Sequence, residues 1–146
     1  MLKLNYLIVL FLFFPPILSL AQKTYIPDDN FEQELINLGY DAILDDSVLT
    51  SNINIVTQLY VNNRNIVDLT GIEAFKNLES LLCPGNKLTY LDLSNNTALT
   101  SLYCNLNQLI TLNLSNNIAL TTLKCGSNKL KSLDLRNGKR SVFHYM

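Results

Sequence analysis

Six columns of the sequence repeat in register at intervals of 21 residues, and that period limits the fold more than any other feature of the chain. Cys83, Cys104 and Cys125 form one column, and Leu81, Leu102 and Leu123 form another. Asn86, Asn107 and Asn128 recur at the same interval, as do Leu88, Leu109 and Leu130, Leu91, Leu112 and Leu133, and Leu93, Leu114 and Leu135. A unit this short cannot bury its own leucines; stacking successive units buries them in a shared column, so the chain must wind into a solenoid.

The unit reads L-x-x-L-x-C-x-x-N-x-L-x-x-L-x-L-x-x-N, as in the stretch from Leu99 to Asn117, which is the pattern of leucine-rich repeats. A looser first turn begins at Val56, with Leu59, Val61 and Ile66 falling 22 residues before Leu81, Cys83 and Leu88. The pattern predicts a right-handed β/α or β/3₁₀ superhelix of about four repeats of 21 to 22 residues. Parallel strands are expected near 57–61, 79–83, 100–104 and 121–125. In the first turn Ile66, Leu69, Ile72, Phe75 and Leu78 recur at every third position, which suits a 3₁₀ segment. Leu91-Asp92-Leu93 and its later copies alternate as strands do.

Alternation within each strand sends Leu102 and Cys104 inward and Tyr103 outward. The outward positions form three columns: Gln58, Ser80, Ser101 and Thr122; Tyr60, Leu82, Tyr103 and Lys124; Asn62, Pro84, Asn105 and Gly126. The candidate binding residues are therefore Gln58, Tyr60, Asn62, Ser80, Leu82, Ser101, Tyr103, Asn105, Thr122 and Lys124. The middle column places two tyrosines and a leucine in one line, a composition suited to anchoring a partner. β-propensity alone also accounts for tyrosine in a strand. About twelve outward positions fall short of the 20 to 30 residues per side of a standard protein interface, so modest affinity is expected.

Residues 22–54 stand outside the period and read as an N-terminal cap. Pro27-Asp28-Asp29 with Glu32 marks a helix start, Phe31, Leu35 and Leu38 recur on one face, and Gly39 stops the helix. One amphipathic helix covering the open edge of the first repeat fits this stretch. Residues 55–138 hold the repeats, and 139–146 form a short tail. Ahead of the cap, Lys3, the apolar run from Leu7 to Leu18 and Ser19-Leu20-Ala21 read as a signal peptide over 1–21, cleaved before Gln22. The run is about a dozen residues and broken by Pro15-Pro16, short of the roughly 20 of a membrane span. An exported chain with no membrane span after cleavage is the expectation.

Three cysteines in an exported protein raise the question of a disulfide. Strands about 4.8 Å apart carry parallel side chains, whereas a disulfide needs Cβ atoms about 3.8 Å apart. Val61 occupies the same column, so core packing is the preferred reading, with one strained disulfide left open. The recurring Asn86, Asn107 and Asn128, and Asn96 and Asn117 at a second corner, suit buried ladders bonding the backbone of the adjacent turn. Arg64 stands in the first asparagine column, where it can reach solvent beside the cap.

Other functions find little support. A formal net charge of −1 over 146 residues, without a basic stripe, argues against nucleic acid. Asp28, Asp29, Asp41, Asp45 and Asp46 match no calcium-loop spacing, and no cofactor or metal site is predicted. The one histidine, His144, lies in the tail, and neither a nucleophile elbow nor a zinc-protease helix is present. Asp92 and Asp134 are expected on the convex side, on a surface without a cleft.

The signal segment, the Ile26-Pro27-Asp28-Asp29-Asn30-Phe31 cap and the Leu-Thr-Ser-Leu-Tyr-Cys turns together resemble the secreted leucine-rich-repeat proteins of bacteria. The architecture is similar to that of internalin-type adhesins, and the resemblance implies a surface-exposed or secreted binding module whose concave sheet grips a protein, or a glycan. The alternatives are a structural spacer, or a truncated copy of a longer adhesin, with no ligand of its own; a hydrolase ranks last. The period asks for an apolar residue at position 141, where Ser141 stands, so the C-terminal edge of the stack is expected to lack a cap beyond Val142, Phe143 and Tyr145, and to favour self-association.

Overall fold

The computed structural model describes residues 21–136; the expected signal peptide, apart from Ala21, and the tail of 139–146 lie outside them. The period of 21 appears as a coil of about four turns. Strands β1 (Lys23–Tyr25) and β2 (Ser47–Leu49) flank helix α1 (Asp29–Asn37) in the cap, and α2 (Thr50–Ile53) leads into the repeats. Strands β3 (Gln58–Tyr60), β4 (Ser80–Leu82), β5 (Ser101–Tyr103) and β7 (Thr122–Lys124) make one parallel sheet in the order β3-β4-β5-β7. A second parallel pair on another side of the coil joins β6 (Thr111–Asn113) to β8 (Ser132–Asp134).

The core is one column running the length of the coil. Leu59, Leu81, Leu102 and Leu123 stack in register from strand to strand, and all are buried. Val61, Cys83, Cys104 and Cys125 form the neighbouring buried column. Their backbones are tied by Val61 N–H to Leu82 O, Cys83 N–H to Tyr103 O and Cys104 N–H to Lys124 O, each 2.8 Å.

Turning away from the sheet exposes backbone groups, and the asparagines satisfy them. Asn107 Nδ2 donates to Cys83 O at 3.0 Å and to Cys104 O at 3.1 Å, while its Oδ1 accepts from Leu88 N–H at 3.0 Å. Asn86 and Asn128 repeat the arrangement one turn away on either side. At the second corner Asn96 Nδ2 donates to Ile72 O and Phe75 O, and Asn117 Nδ2 to Leu93 O and Asn96 O. At the first corner the column Asn63, Gly85, Leu106 and Ser127 is left-handed throughout, with φ of 56°, 68°, 57° and 54°. That geometry suits Gly and Asn and strains Leu106.

The first turn differs as expected: Ile72–Ala74 is a 3₁₀ segment. Leu91–Leu93, in contrast to the expected strand, is irregular, and a groove of about 270 Å³ lies between it and the β6 segment. Only the two later copies pair.

The cap is more than the single helix expected from its sequence. β1 and β2 pair antiparallel, with Thr24 opposite Val48, a contact between segments too short to carry a strand signal. Phe31 and Leu35 are buried as expected, Phe31 against Phe75 with ring centroids 6.4 Å apart. Leu38 instead sits at the helix C-cap and is exposed, since Gly39 at φ +80° turns the chain away. Three carboxylates of the cap bind other segments. Asp28 Oδ1 caps α1 through Asn30 and Phe31 N–H, while its Oδ2 takes Val67 and Asp68 N–H of the first turn. Glu32 is fully buried and accepts from the backbone of Asp45, Asp46 and Ser47. Glu34, also buried, pairs with Arg64 Nε at 2.8 Å, so Arg64 links the first turn to the cap while half its side chain stays in water.

Candidate binding face

Strand register brings the outward residues together as the alternation requires. Gln58, Ser80, Ser101 and Thr122 are successive partners across the sheet, and so are Tyr60, Leu82, Tyr103 and Lys124. The third row follows through Asn63 N–H to Pro84 O, Gly85 N–H to Asn105 O and Leu106 N–H to Gly126 O, which align Asn62, Pro84, Asn105 and Gly126. Gln58, Tyr60, Asn62 and Lys124, at the two ends, are exposed; Ser80, Leu82, Ser101, Tyr103, Asn105 and Thr122 are half-buried between neighbouring turns.

Two contacts preorganise the face. Lys124 Nζ lies 4.8 Å from the centroid of the Tyr103 ring, a cation–π pair. Tyr60 Oη shares a hydrogen bond with Gln58 Oε1. Lys124 is the one cation among the twelve outward positions, so recognition there rests on aromatic, amide and hydroxyl groups with a single positive charge.

Other clusters are committed to structure. The cysteines are free and buried, and desolvation pushes the Cys83 thiol up to about 12. Cys104 is raised by burial and then by its two neighbours, and Cys125 by burial. These shifts oppose thiolate formation and leave the three thiols poorly reactive. Among the described residues, Glu32, Asp41 and Asp45 bring carboxylate oxygens within 4.8 Å of one another. Glu32 is spent on three backbone N–H groups, and Asp45 is held by Lys23 Nζ at 2.9 Å. The asparagine ladders likewise serve the backbone.

The surface around Asp92 does carry clefts, contrary to the expectation from sequence. Two grooves of about 270 and 230 Å³ lie on either side of Tyr90, Leu91 and Asp92. They arise because the 3₁₀ first turn, the irregular second turn and the extended third turn differ in path, a mismatch no residue pattern announces. Among the described residues, no helix is long and apolar enough to cross a membrane.

A coil of stacked 21-residue turns, with asparagine ladders, a helical cap and an open parallel sheet, defines a leucine-rich-repeat solenoid. No family model matches the chain. It is 38% identical over 73 residues to internalin J of Listeria monocytogenes serotype 4b (strain F2365), a match covering 50% of this chain and 8% of that protein. The solved functional domain of InlJ from Listeria monocytogenes, which includes a cysteine ladder, superposes with a TM-score of 0.73 at 34% identity, over 86% of this chain and 28% of that one. An internalin, InlF, from strain 4b F2365 of the same species gives 0.64 at 26% identity, over 76% of this chain and 37% of that one. Internalin C2 of that strain gives 0.65 at 22% identity over 88% and 62%, a likeness of fold alone. The chain is thus an internalin-like leucine-rich-repeat protein, one that spans a small part of the length of internalin J.

Proposed function

We propose that this chain is an exported, non-catalytic binding module that recognises a protein through the outward face of β3, β4, β5 and β7. The observation that carries the reading is the Tyr60–Leu82–Tyr103–Lys124 column, held in register across four strands with Lys124 fixed over Tyr103. Aromatic side chains lose little conformational freedom on binding and supply large contact areas, so they make efficient anchors. The likeness to internalins supports surface or secreted placement, in line with a leader over 1–21 that is removed before Gln22. A glycan is the alternative ligand for the same face, a spacer without a ligand the alternative role, and a hydrolase ranks last.

The test is capture of secreted and surface proteins with the mature chain, repeated with two variants. Tyr103→Ala should weaken capture and leave the fold intact. Leu102→Ala, its buried neighbour, should cost about 2 to 5 kcal/mol of stability through a core cavity. Capture unaffected by Tyr103→Ala would refute the assigned face.

A second surface supports the expected self-association. Cys125, Gly126, Leu130, Lys131, Ser132 and Leu133 line a hollow of about 360 Å³ on the last described turn, and Leu130, Leu133 and Leu135 are only partly buried. Two chains meeting through this edge would bury those leucines. Sedimentation of the mature chain should show concentration-dependent association that a polar capping repeat fused after Asn137 removes; a monomer at every concentration would overturn it.

A further inference from the structure

The geometry points to a second ligand site on the side of the coil that carries β6 and β8: a neutral saccharide stacked on Tyr90 and lying in the two grooves that flank it. Positions equivalent to Tyr90 hold Asp68, Thr111 and Ser132, so a single aromatic ring projects from an otherwise polar column. Tyr90 is 66% exposed, the second most exposed of the large apolar side chains described within the repeats.

The ring stands on the wall shared by both grooves. One groove adds Asp68, Thr70 and Glu73, and the other Thr111, Asn113 and Asn116. The polar groups are held in place rather than free to rotate. Asp68 Oδ1 accepts from Thr70 N–H and Oγ1, both at 2.8 Å. Asp92 Oδ1 accepts from Ser94 N–H at 2.9 Å, and Asn113 Oδ1 from Ser115 N–H at 3.0 Å. Bonds to Ser94 and Tyr90 hold the Asp92 carboxyl below its usual range, so it stays an acceptor at neutral pH.

The chemistry selects the ligand class. An aromatic face takes the apolar C–H face of a pyranose, and fixed carboxylate and amide oxygens take its hydroxyls through short charge-assisted bonds. Three carboxylates with no cation lining either groove repel an anionic ligand. Each groove is smaller than the pockets that hold drug-sized molecules, in keeping with one sugar ring apiece. The site is separate from the β3–β4–β5–β7 face and does not depend on what that face binds.

The test titrates the mature chain by calorimetry and ligand-observed NMR with three probes: a β-1,4-glucan oligomer, an N-acetylglucosamine oligomer and a heparin-derived oligosaccharide. At least one neutral oligomer should bind with a dissociation constant near or below about 1 mM, and the anionic one should not. Tyr90→Ala should weaken binding at least about tenfold with unchanged circular dichroism. Tyr90→Phe, which keeps the ring and loses only the hydroxyl, should retain most of it. Tyr103→Ala should change nothing. The proposal is overturned if neither neutral oligomer binds, if heparin fragments bind more tightly, if Tyr90→Ala binds as the parent does, or if Tyr103→Ala removes the binding.

Discussion

The carboxylate of Asp28 accepts the Val67 backbone N–H at 2.7 Å across 39 residues of chain. One side chain thus caps α1 and holds the first repeat against it. Asp28→Ala removes the acceptor of four backbone N–H groups at once, combining the loss of an N-cap, about 1 kcal/mol, with orphaned N–H groups in the first turn. A loss of about 2 to 3 kcal/mol is expected in chemical denaturation. Asp28→Asn, which keeps Oδ1, should lose roughly half as much. Equal stability of parent and alanine variant would show that the cap is held by apolar contact alone.

Leu106 is strained, and relieving it should stabilise the chain. It sits at φ 57° in a column otherwise filled by Asn63, Gly85 and Ser127, and its side chain is 58% exposed. A left-handed conformation costs a non-glycine residue about 1 to 2 kcal/mol, and Asn tolerates it better. Leu106→Asn should therefore raise stability by up to about 1 kcal/mol, read from the denaturation midpoint. A fall of similar size would mean that Leu106 makes apolar contacts worth more than the strain.

The cysteine column should resist alkylation in the native state. The thiolate is the reactive form, and burial raises all three thiols, Cys83 to about 12. At pH 8, mass spectrometry should find Cys83 and Cys104 unlabelled until denaturant is added, with Cys125 on the last turn reacting first. Cys104→Val should cost less than about 1.5 kcal/mol, as Val61 already occupies the column. Cys104→Ser should cost about 1 to 3 kcal/mol by burying a hydroxyl.

Lys23 and Asp45 tie the cap strands with a pH window set by both partners. The bond to Lys23, and then those to Ser47, hold the Asp45 carboxyl below its usual range, so its contribution is present above the ordinary aspartate value, near 4, and fades as pH falls through the lowered one. The bond to Asp45 raises Lys23, whose contribution is present below its ordinary value, near 10, and fades as pH rises through the raised one. The stability difference between parent and Lys23→Met should be flat between these limits and vanish beyond both. Because both groups face solvent, 1 M salt should shrink it too. A difference that persists at pH 2 would assign it to packing of the lysine stem.

The repeat was legible because stacking is a local rule copied along the chain. Leu81, Leu102 and Leu123 meet because each stands at the same place in its own turn, so the period alone specified the coil, the inward columns, the asparagine ladders and the outward rows. Asp28 was recognisable as a helix cap from its neighbours. Its grip on Val67 was not, since contact between a cap and a first turn follows no period. The same holds for Glu32 reaching Ser47 and for β1 pairing with β2. Tertiary structure alone decided these, along with the left-handed corner at Leu106 and the grooves beside Tyr90, because each depends on how unlike segments meet.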